Sequence, residues 1–283
     1  MDRYSIIRDG VCVSKSSARP ALVLASVLRN RELIRELIKR DVIGRYRASF
    51  GGVLWSFAHP IFMLAVYTLA FGVFFKVRWG GADSTLEFSL VLFAGLIIYN
   101  FFAECINRAP ALVLNRPGFV KKVVFPLEIL PWVAMGSALF HTAVSFLAWI
   151  FFYIALHGVP PLTLFWAPVV LLPLLPVVLG LSWALSALGV YVRDVIHIVG
   201  IVTLALLFLS PVFFSLDAVP ESLRPLILAN PLTLIIDQAR QVMLYGAMPD
   251  FRALGLYSIF SLGFGWAGFA LFQMLRDGFA DAI

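Results

Sequence analysis

Long apolar segments are the feature that most constrains how this chain can fold. A helix needs roughly 20 mostly apolar residues to cross the hydrocarbon layer of a bilayer, and six segments meet that rule. They run approximately over residues 53–75, 88–106, 129–156, 162–190, 195–215 and 253–275. The composition agrees, because 61% hydrophobic and 13% charged residues do not suit a water-soluble domain. We therefore predict an all-α integral membrane protein with six transmembrane helices.

Residues 1–50 differ sharply from the rest, since they are polar and hold 11 of the 22 Lys and Arg residues. We predict a cytoplasmic N-terminal region there and a single membrane domain over residues 51–283. Leu33, Ile34 and Leu37 recur at helical spacing. This indicates an amphipathic helix in the membrane interface or a solvated helix packed on another protein. Its basic residues are Arg35, Lys39, Arg40 and Arg45.

A shorter apolar segment, Pro225 to Ile236, lies between the fifth and sixth predicted spans. About a dozen residues are too few to cross a bilayer, so we predict a re-entrant helical segment on the extracytoplasmic side. The charge bias gives the orientation. With both termini in the cytoplasm, 17 Lys and Arg residues lie inside and five outside, as the positive-inside rule requires. Pro168, Pro173 and Pro176 predict a kink in the fourth span.

The sequence contains no phosphate-binding loop, no His-Glu-x-x-His, no Cys-x-x-Cys and no cluster of carboxylates suited to a metal. We therefore expect no catalytic residue, metal or cofactor in this chain. The cores of the spans lack Asp and Glu, which disfavours an ion-coupled carrier or channel. Glu104 and Glu128 lie near span ends, where we expect solvated or hydrogen-bonded carboxylates. The pattern indicates a transport pathway whose energy source is another polypeptide.

Four ordered motifs occur within residues 27–275. They are Arg40-Asp41 with Arg45-Tyr46-Arg47, Gly52-Val53-Leu54-Trp55 and Pro60; Phe125-Pro126 with Pro131; Arg193-Asp194 with Leu209-Ser210-Pro211-Val212; and Asn230-Pro231-Leu232-Thr233 with Arg240 and Gly246. Together they resemble the type-2 ABC exporter permeases for bacterial surface polysaccharides. His59 departs from the family pattern, which more often has Gln before the proline.

The resemblance implies a homodimeric permease in the bacterial inner (cytoplasmic) membrane. It implies two copies of a separate ATP-binding ABC subunit, which would bind ATP and Mg. It further implies export of a lipid-linked polysaccharide such as O antigen, capsule or teichoic acid from the cytoplasmic leaflet. We expect contacts with membrane lipids and none with nucleic acid. The alternatives are an ABC exporter permease for a drug or small lipid, and a membrane glycosyltransferase.

Aromatic rings can stack on the apolar faces of many sugars, so aromatic and polar residues of the first two spans are candidates for the substrate channel. They are Trp55, His59, Tyr67, Phe71, Tyr99 and Phe102. The alternative is that these side chains face lipid or pack against other helices. The candidate contacts with the ATP-binding subunit lie in two loops, where the basic residues could instead only fix the topology. They are Arg116, Lys121, Lys122, Phe125, Arg193 and Asp194.

Overall fold

The computed structural model of the protein describes residues 5–8, 11–14, 26–46, 54–74, 85–121 and 125–282. Most of these residues are helical, as predicted. The exception is an antiparallel hairpin of strands β1 (Ser5–Arg8) and β2 (Val11–Ser14), in which Ser5 pairs with Ser14 and Arg8 with Val11. The all-α prediction missed this hairpin. The sequence signal is Asp9-Gly10 between β-branched residues, the usual mark of a two-residue hairpin turn.

The first half of the membrane domain contains helices of very different lengths. In chain order they are α1 (Arg31–Tyr46), α2 (Leu54–Tyr67) with a π-helical continuation (Thr68–Phe74), α3 (Thr85–Arg108), α4 (Ala111–Leu114), α5 (Pro117–Lys121) and α6 (Leu130–His157). A 3₁₀ turn (Leu127–Ile129) leads into α6. Because Pro131 stands in the first turn of α6, its missing N–H removes no helical hydrogen bond.

The second half follows the same pattern of long helices and short connecting helices. They are α7 (Ala167–Leu171), α8 (Leu174–Tyr191), α9 (Val195–Leu209), α10 (Arg224–Leu228), α11 (Pro231–Met243), α12 (Phe251–Arg276) and α13 (Phe279–Ala282), with 3₁₀ turns Leu162–Trp166 and Leu216–Ala218. The break between α7 and α8 falls at Pro173. The helix is therefore interrupted at one of the three prolines of the fourth predicted span, and a change of axis direction there stays a prediction.

Four segments of the described chain are long and apolar enough to cross a membrane. They are Glu87–Arg108, Leu127–His157, Leu162–Tyr191 and Phe251–Arg276, which match the second, third, fourth and sixth predicted spans. Two other apolar helical stretches, Pro60–Ala70 and Val195–Leu209, are shorter. They fall within the first and fifth predicted spans.

The fifth span was predicted too long, because α9 ends at Leu209 and not near residue 215. Ser210 is extended (φ −92°, ψ 151°), as expected for a residue before proline. The segment predicted as one re-entrant helix, Pro225 to Ile236, is also different. It contains two helices, and the second continues to Met243. Asn230 separates them and caps α11, since its Oδ1 accepts a hydrogen bond from Leu232 N at 2.9 Å.

Helix α3 lies at the centre of the protein, and every residue from Phe88 to Tyr99 is buried. Helices α6, α8, α9 and α11 all contact it. Two large indole rings in the core have their N–H groups satisfied. Trp149 Nε1 donates to the Leu90 carbonyl oxygen and Trp183 Nε1 to that of Glu128, each at 3.0 Å.

Helices α8 and α12 approach each other through glycines. A Cβ atom at Gly268 would overlap the carbonyl oxygen of Gly180, and one at Gly265 would lie 2.9 Å from the carbonyl oxygen of Pro176. Small residues let the two backbones touch, which is how helices gain packing energy inside a membrane.

The long helices give the protein two distinct ends. At the first, which we name the α1 end, Tyr191 at the end of α8 donates a hydrogen bond to the Leu275 carbonyl oxygen and packs on Phe279. At the opposite end, which we name the α11 end, the side chains of Glu87 and His157 lie 3.7 Å apart. Ser26 before α1 and Arg276 at the end of α12 both bond to Glu128, so these two parts of the described chain belong to the same end as the loop between α3 and α6.

Candidate functional site

A network of charged side chains at the α1 end joins α1 to the long helices. Arg108 Nη2 donates to both carboxylate oxygens of Asp41, at 2.8 and 2.7 Å. Arg45 Nη2 donates to Glu104 Oε1 at 2.7 Å, and His141 Nδ1 lies 3.0 Å from both Glu104 oxygens. Arg108 and Glu104 are also 3.7 Å apart, at i,i+4 spacing on α3. We name these five residues the α1 network.

The α1 network fixes α1 against the long helices by charge as well as by packing. Burial raises the pKa of Asp41, but the hydrogen bond and positive charge of Arg108, together with Ser137 and Arg45, more than offset it, so the pKa lies below its ordinary value. The apolar face of α1 packs inward too, since Ile34 contacts Ile129 and Val133. The predicted amphipathic helix thus packs against α6 of its own chain. Its position in the membrane interface stays a prediction.

A second polar cluster surrounds Glu128. Its carboxylate accepts hydrogen bonds from Ser26 Oγ at 3.3 Å and from Arg276 Nη1 at 2.9 Å. Both Glu104 and Glu128 are therefore hydrogen-bonded carboxylates at the ends of long helices, which confirms what the sequence led us to expect of them. The cluster connects the N-terminal region, the loop before α6 and the C-terminal end of α12.

A cavity of about 610 Å³ opens between α1 and the α4–α5 turn. Its lining combines three arginines with one carboxylate and two apolar side chains. The residues are Leu37, Arg40, Asp41, Gly44, Arg45, Asn115, Arg116 and Phe119. Arg116, which the sequence suggested as a contact with the ATP-binding subunit, lines this cavity and is partly buried. The sequence indicates each basic residue separately, but it does not show that α1 packs over the α4–α5 turn.

At the α11 end, Arg240 is a buried cation that the sequence analysis noted without a role. It is 3% exposed, and its guanidinium donates to the carbonyl oxygens of Val91, Pro211 and Val212. The break after α9 leaves the last two carbonyls without a helical partner. Asn230 Nδ2 donates to Ser210 Oγ at 2.8 Å beside them. The third and fourth sequence motifs therefore meet in space.

Of the six predicted channel residues, the three whose side chains the structure describes do not share one surface. Trp55 is 54% exposed on α2. Tyr99 and Phe102 are 7% and 2% exposed, and the Tyr99 hydroxyl donates to the Thr203 carbonyl oxygen at 2.8 Å, so both pack between helices in this conformation. The side chains of His59, Tyr67 and Phe71 lie outside the described part of the structure. A channel role stays a prediction for all six, and the packing of Tyr99 and Phe102 does not favour it.

The remaining loop residues that the structure describes lie at the α1 end. Arg193 and Asp194 are exposed in the turn between α8 and α9. The partly buried Phe125 ring stacks on Phe119, with a centroid distance of 4.3 Å. Lys122 and the Lys121 side chain are outside the described residues. The other basic residues of α1, Arg35, Lys39 and Arg40, are exposed. Within the described ranges, no three His, Cys, Asp or Glu residues form a group that could hold a metal ion.

Long apolar helices, a polar network at each end and an amphipathic helix packed at one end define a polytopic membrane protein. Comparison with known families makes this specific, because the ABC-2 type transporter family matches residues 32–244. The chain therefore belongs to the ABC-2 type transporter family, whose members are membrane subunits of transporters.

The similar proteins are named for polysaccharide export. The O-antigen export system permease protein RfbA of Myxococcus xanthus is 29% identical over 255 residues, which cover 89% of this chain and 96% of that protein. A protein of the same name from Klebsiella pneumoniae is 24% identical, covering 89% and 95%. The polysialic acid transport protein KpsM of Escherichia coli is 22% identical over 266 residues, covering 92% and 98%. The family resemblance read from the four motifs is confirmed.

Proposed function

We propose that this chain is the transmembrane subunit of an ATP-driven ABC exporter that moves a lipid-linked polysaccharide, foremost O antigen, across the bacterial inner membrane. The observation that carries the proposal is end-to-end similarity to the O-antigen export permease of Myxococcus xanthus, over 89% of this chain and 96% of that protein. The weaker similarity to the polysialic acid transport protein makes a capsular polysaccharide the second candidate cargo.

The proposed topology has six spans, with both termini in the cytoplasm. Helix α2 and its π-helical continuation cover residues 54–74, which at 1.5 Å per residue reach roughly 30 Å and match the hydrocarbon thickness. The α1 end is then the cytoplasmic end, because the positively charged helix α1 and the loop before α6 both belong to it. Helices α10 and α11 lie at the extracytoplasmic end.

The proposed assembly is a homodimer of this chain with two copies of an ATP-binding subunit, which holds ATP and Mg. Phe62 on α2 and Ile201 on α9 are 65% and 70% exposed, so these helices offer apolar surface to lipid and to a second copy. The exposed Arg193-Asp194 turn and the segment from Lys121 to Phe125 are the proposed contacts with the ATP-binding subunit. The contact predicted for Arg116 stays a prediction, and its side chain lines the cavity.

ATP turnover tests this assignment directly. The purified chain should hydrolyse no ATP above background, and in complex with its ATP-binding partner it should change that subunit's rate. Arg193→Ala with Asp194→Ala should weaken co-purification of the two proteins, whereas Arg252→Ala at the opposite end should not. ATP hydrolysis by the isolated chain that survives repeated purification would contradict the proposal.

A further inference from the structure

The cavity between α1 and the α4–α5 turn holds more positive charge than the described residues neutralise. Asp41, the carboxylate in its lining, is already engaged by Arg108 at both oxygens. Arg45 is engaged by Glu104. Arg40 and Arg116 form no salt bridge with any residue that the structure describes. Two guanidinium groups therefore face the same cavity without a carboxylate of their own.

The electrostatics of Arg116 point the same way. Burial lowers the pKa of Arg116, and the positive charges of Arg108 and Arg40 lower it further against the attraction of Asp41. A partly desolvated cation surrounded by like charges is unfavourable unless an anion completes the site. The excess positive charge therefore favours the binding of an anion in the cavity.

The shape and lining of the cavity indicate what kind of anion fits. Guanidinium groups present paired N–H donors that match the oxygens of a phosphate group, and Asn115 supplies an amide beside them. Leu37 and Phe119 provide apolar walls. A Cβ atom at Gly44 would have no neighbour within 4 Å, so this part of the α1 backbone borders open space. Charged donors next to apolar walls suit a phosphate carried on a hydrocarbon chain.

We propose that this cavity binds the phosphate or diphosphate headgroup of a lipid, with Arg40 and Arg116 as its main ligands. Two sources share this chemistry: an anionic phospholipid of the surrounding membrane, and the lipid carrier of the transported polysaccharide. The second source rests on the proposed function. The site itself does not, since it follows from the charges and geometry of the cavity.

The first test is titration of the full-length protein in a neutral detergent with inorganic pyrophosphate. Arg40→Gln combined with Arg116→Gln should weaken binding at least tenfold. Arg35→Gln combined with Lys39→Gln also removes two positive charges, both from α1 and outside the cavity lining. This control should change the Kd for pyrophosphate less than twofold. If both double variants weaken binding equally, the loss of affinity comes from the lower surface charge in general, and the proposed site is wrong. Absence of pyrophosphate binding by the unaltered protein would also overturn it.

Two single variants separate binding from folding. Arg116→Gln removes an unmatched charge, so the melting temperature without ligand should stay the same or rise while the stabilisation by pyrophosphate falls. A lower melting temperature without ligand would instead make Arg116 a structural residue and contradict the proposal. Gly44→Leu retains every charge, improves helix propensity and places an apolar side chain in the cavity. It should therefore also weaken pyrophosphate binding, and unchanged affinity would place the anion elsewhere.

Competition experiments identify the source of the headgroup. The lipids are added in mixed micelles. Displacement of pyrophosphate by phosphatidylglycerol but not by phosphatidylcholine would assign the site to a membrane phospholipid. Farnesyl diphosphate that displaces pyrophosphate at a concentration at least tenfold lower than phosphatidylglycerol does would assign the site to a lipid carrier. Failure of all three lipids to compete would overturn the lipid assignment. Because none of these measurements uses transport, their failure is distinguishable from a failure of the export function.

Discussion

Arg240 shows how a single residue can organise the α11 end. Its guanidinium reaches the Val91, Pro211 and Val212 carbonyl oxygens, so one side chain connects α11 to α3 and to the break after α9. Gly95 makes room for it, since a Cβ atom there would lie 2.8 Å from Arg240 Nη2. The sequence placed Arg240 in a motif, but its partners are backbone oxygens, which no side-chain pattern could reveal.

Arg240→Gln should lower stability by about 3 kcal/mol, because removing the guanidinium leaves buried carbonyl groups without donors, each costing about 1–3 kcal/mol. Abundance in the membrane and thermal unfolding in detergent measure the effect. Arg252→Gln, at an exposed position on α12, is the matched control and should behave like the unaltered protein. Equal stability of the two variants would contradict a structural role for Arg240.

Asp41 predicts a pH dependence at the α1 end. Its pKa is lowered from the ordinary 3.8, so its pairing with Arg108 stabilises the fold above about pH 4 and is lost as the pH falls through the lowered value. Asp41→Asn should cost on the order of 1 kcal/mol at pH 7, and the difference from the unaltered protein should be smaller at pH 3, which lies below the ordinary pKa. Thermal unfolding at both pH values measures this. A gap of the same size at pH 3 would exclude the carboxylate charge as its cause.

At the scale of the elements, apolar length located the long helices well but not the irregular segments between them. Segments near 88–106, 129–156, 162–190 and 253–275 match observed helices because hydrophobic length alone determines a span. The end of the fifth segment was placed too late because apolar residues continue past Ser210, where the following proline ends the helix. The α1 network could not be predicted, because it depends on how α1 packs against α3 and α6.

The glycine contact between α8 and α12 gives the clearest prediction for an element. Gly268→Leu should separate the two helices and reduce folded protein in the membrane severalfold, since the new side chain would overlap the Gly180 backbone. Gly263→Leu is the control on the same helix, because a Cβ atom there has no neighbour within 4 Å. Fluorescence-detected size-exclusion chromatography compares the two. Equal recovery of both variants would rule out a close backbone contact at Gly268.

The whole molecule is a bundle with a different polar network at each end. The α1 end gathers the N-terminal helix, the loop before α6 and the C-terminus, and it also holds the basic cavity. The α11 end is closed by α11 and its buried arginine. The proposed contacts with the ATP-binding subunit and the proposed headgroup site both lie at the α1 end.

The most direct test of the export function is the location of the polysaccharide in cells that lack this chain. Deletion should remove the polymer from the cell surface while lipid-linked polymer accumulates inside, and a plasmid copy of the unaltered chain should restore surface display. Immunoblots of whole cells and of purified inner membranes with an antibody to the polymer measure both pools. Normal surface polysaccharide in the deletion strain, with no accumulation inside, would contradict the account.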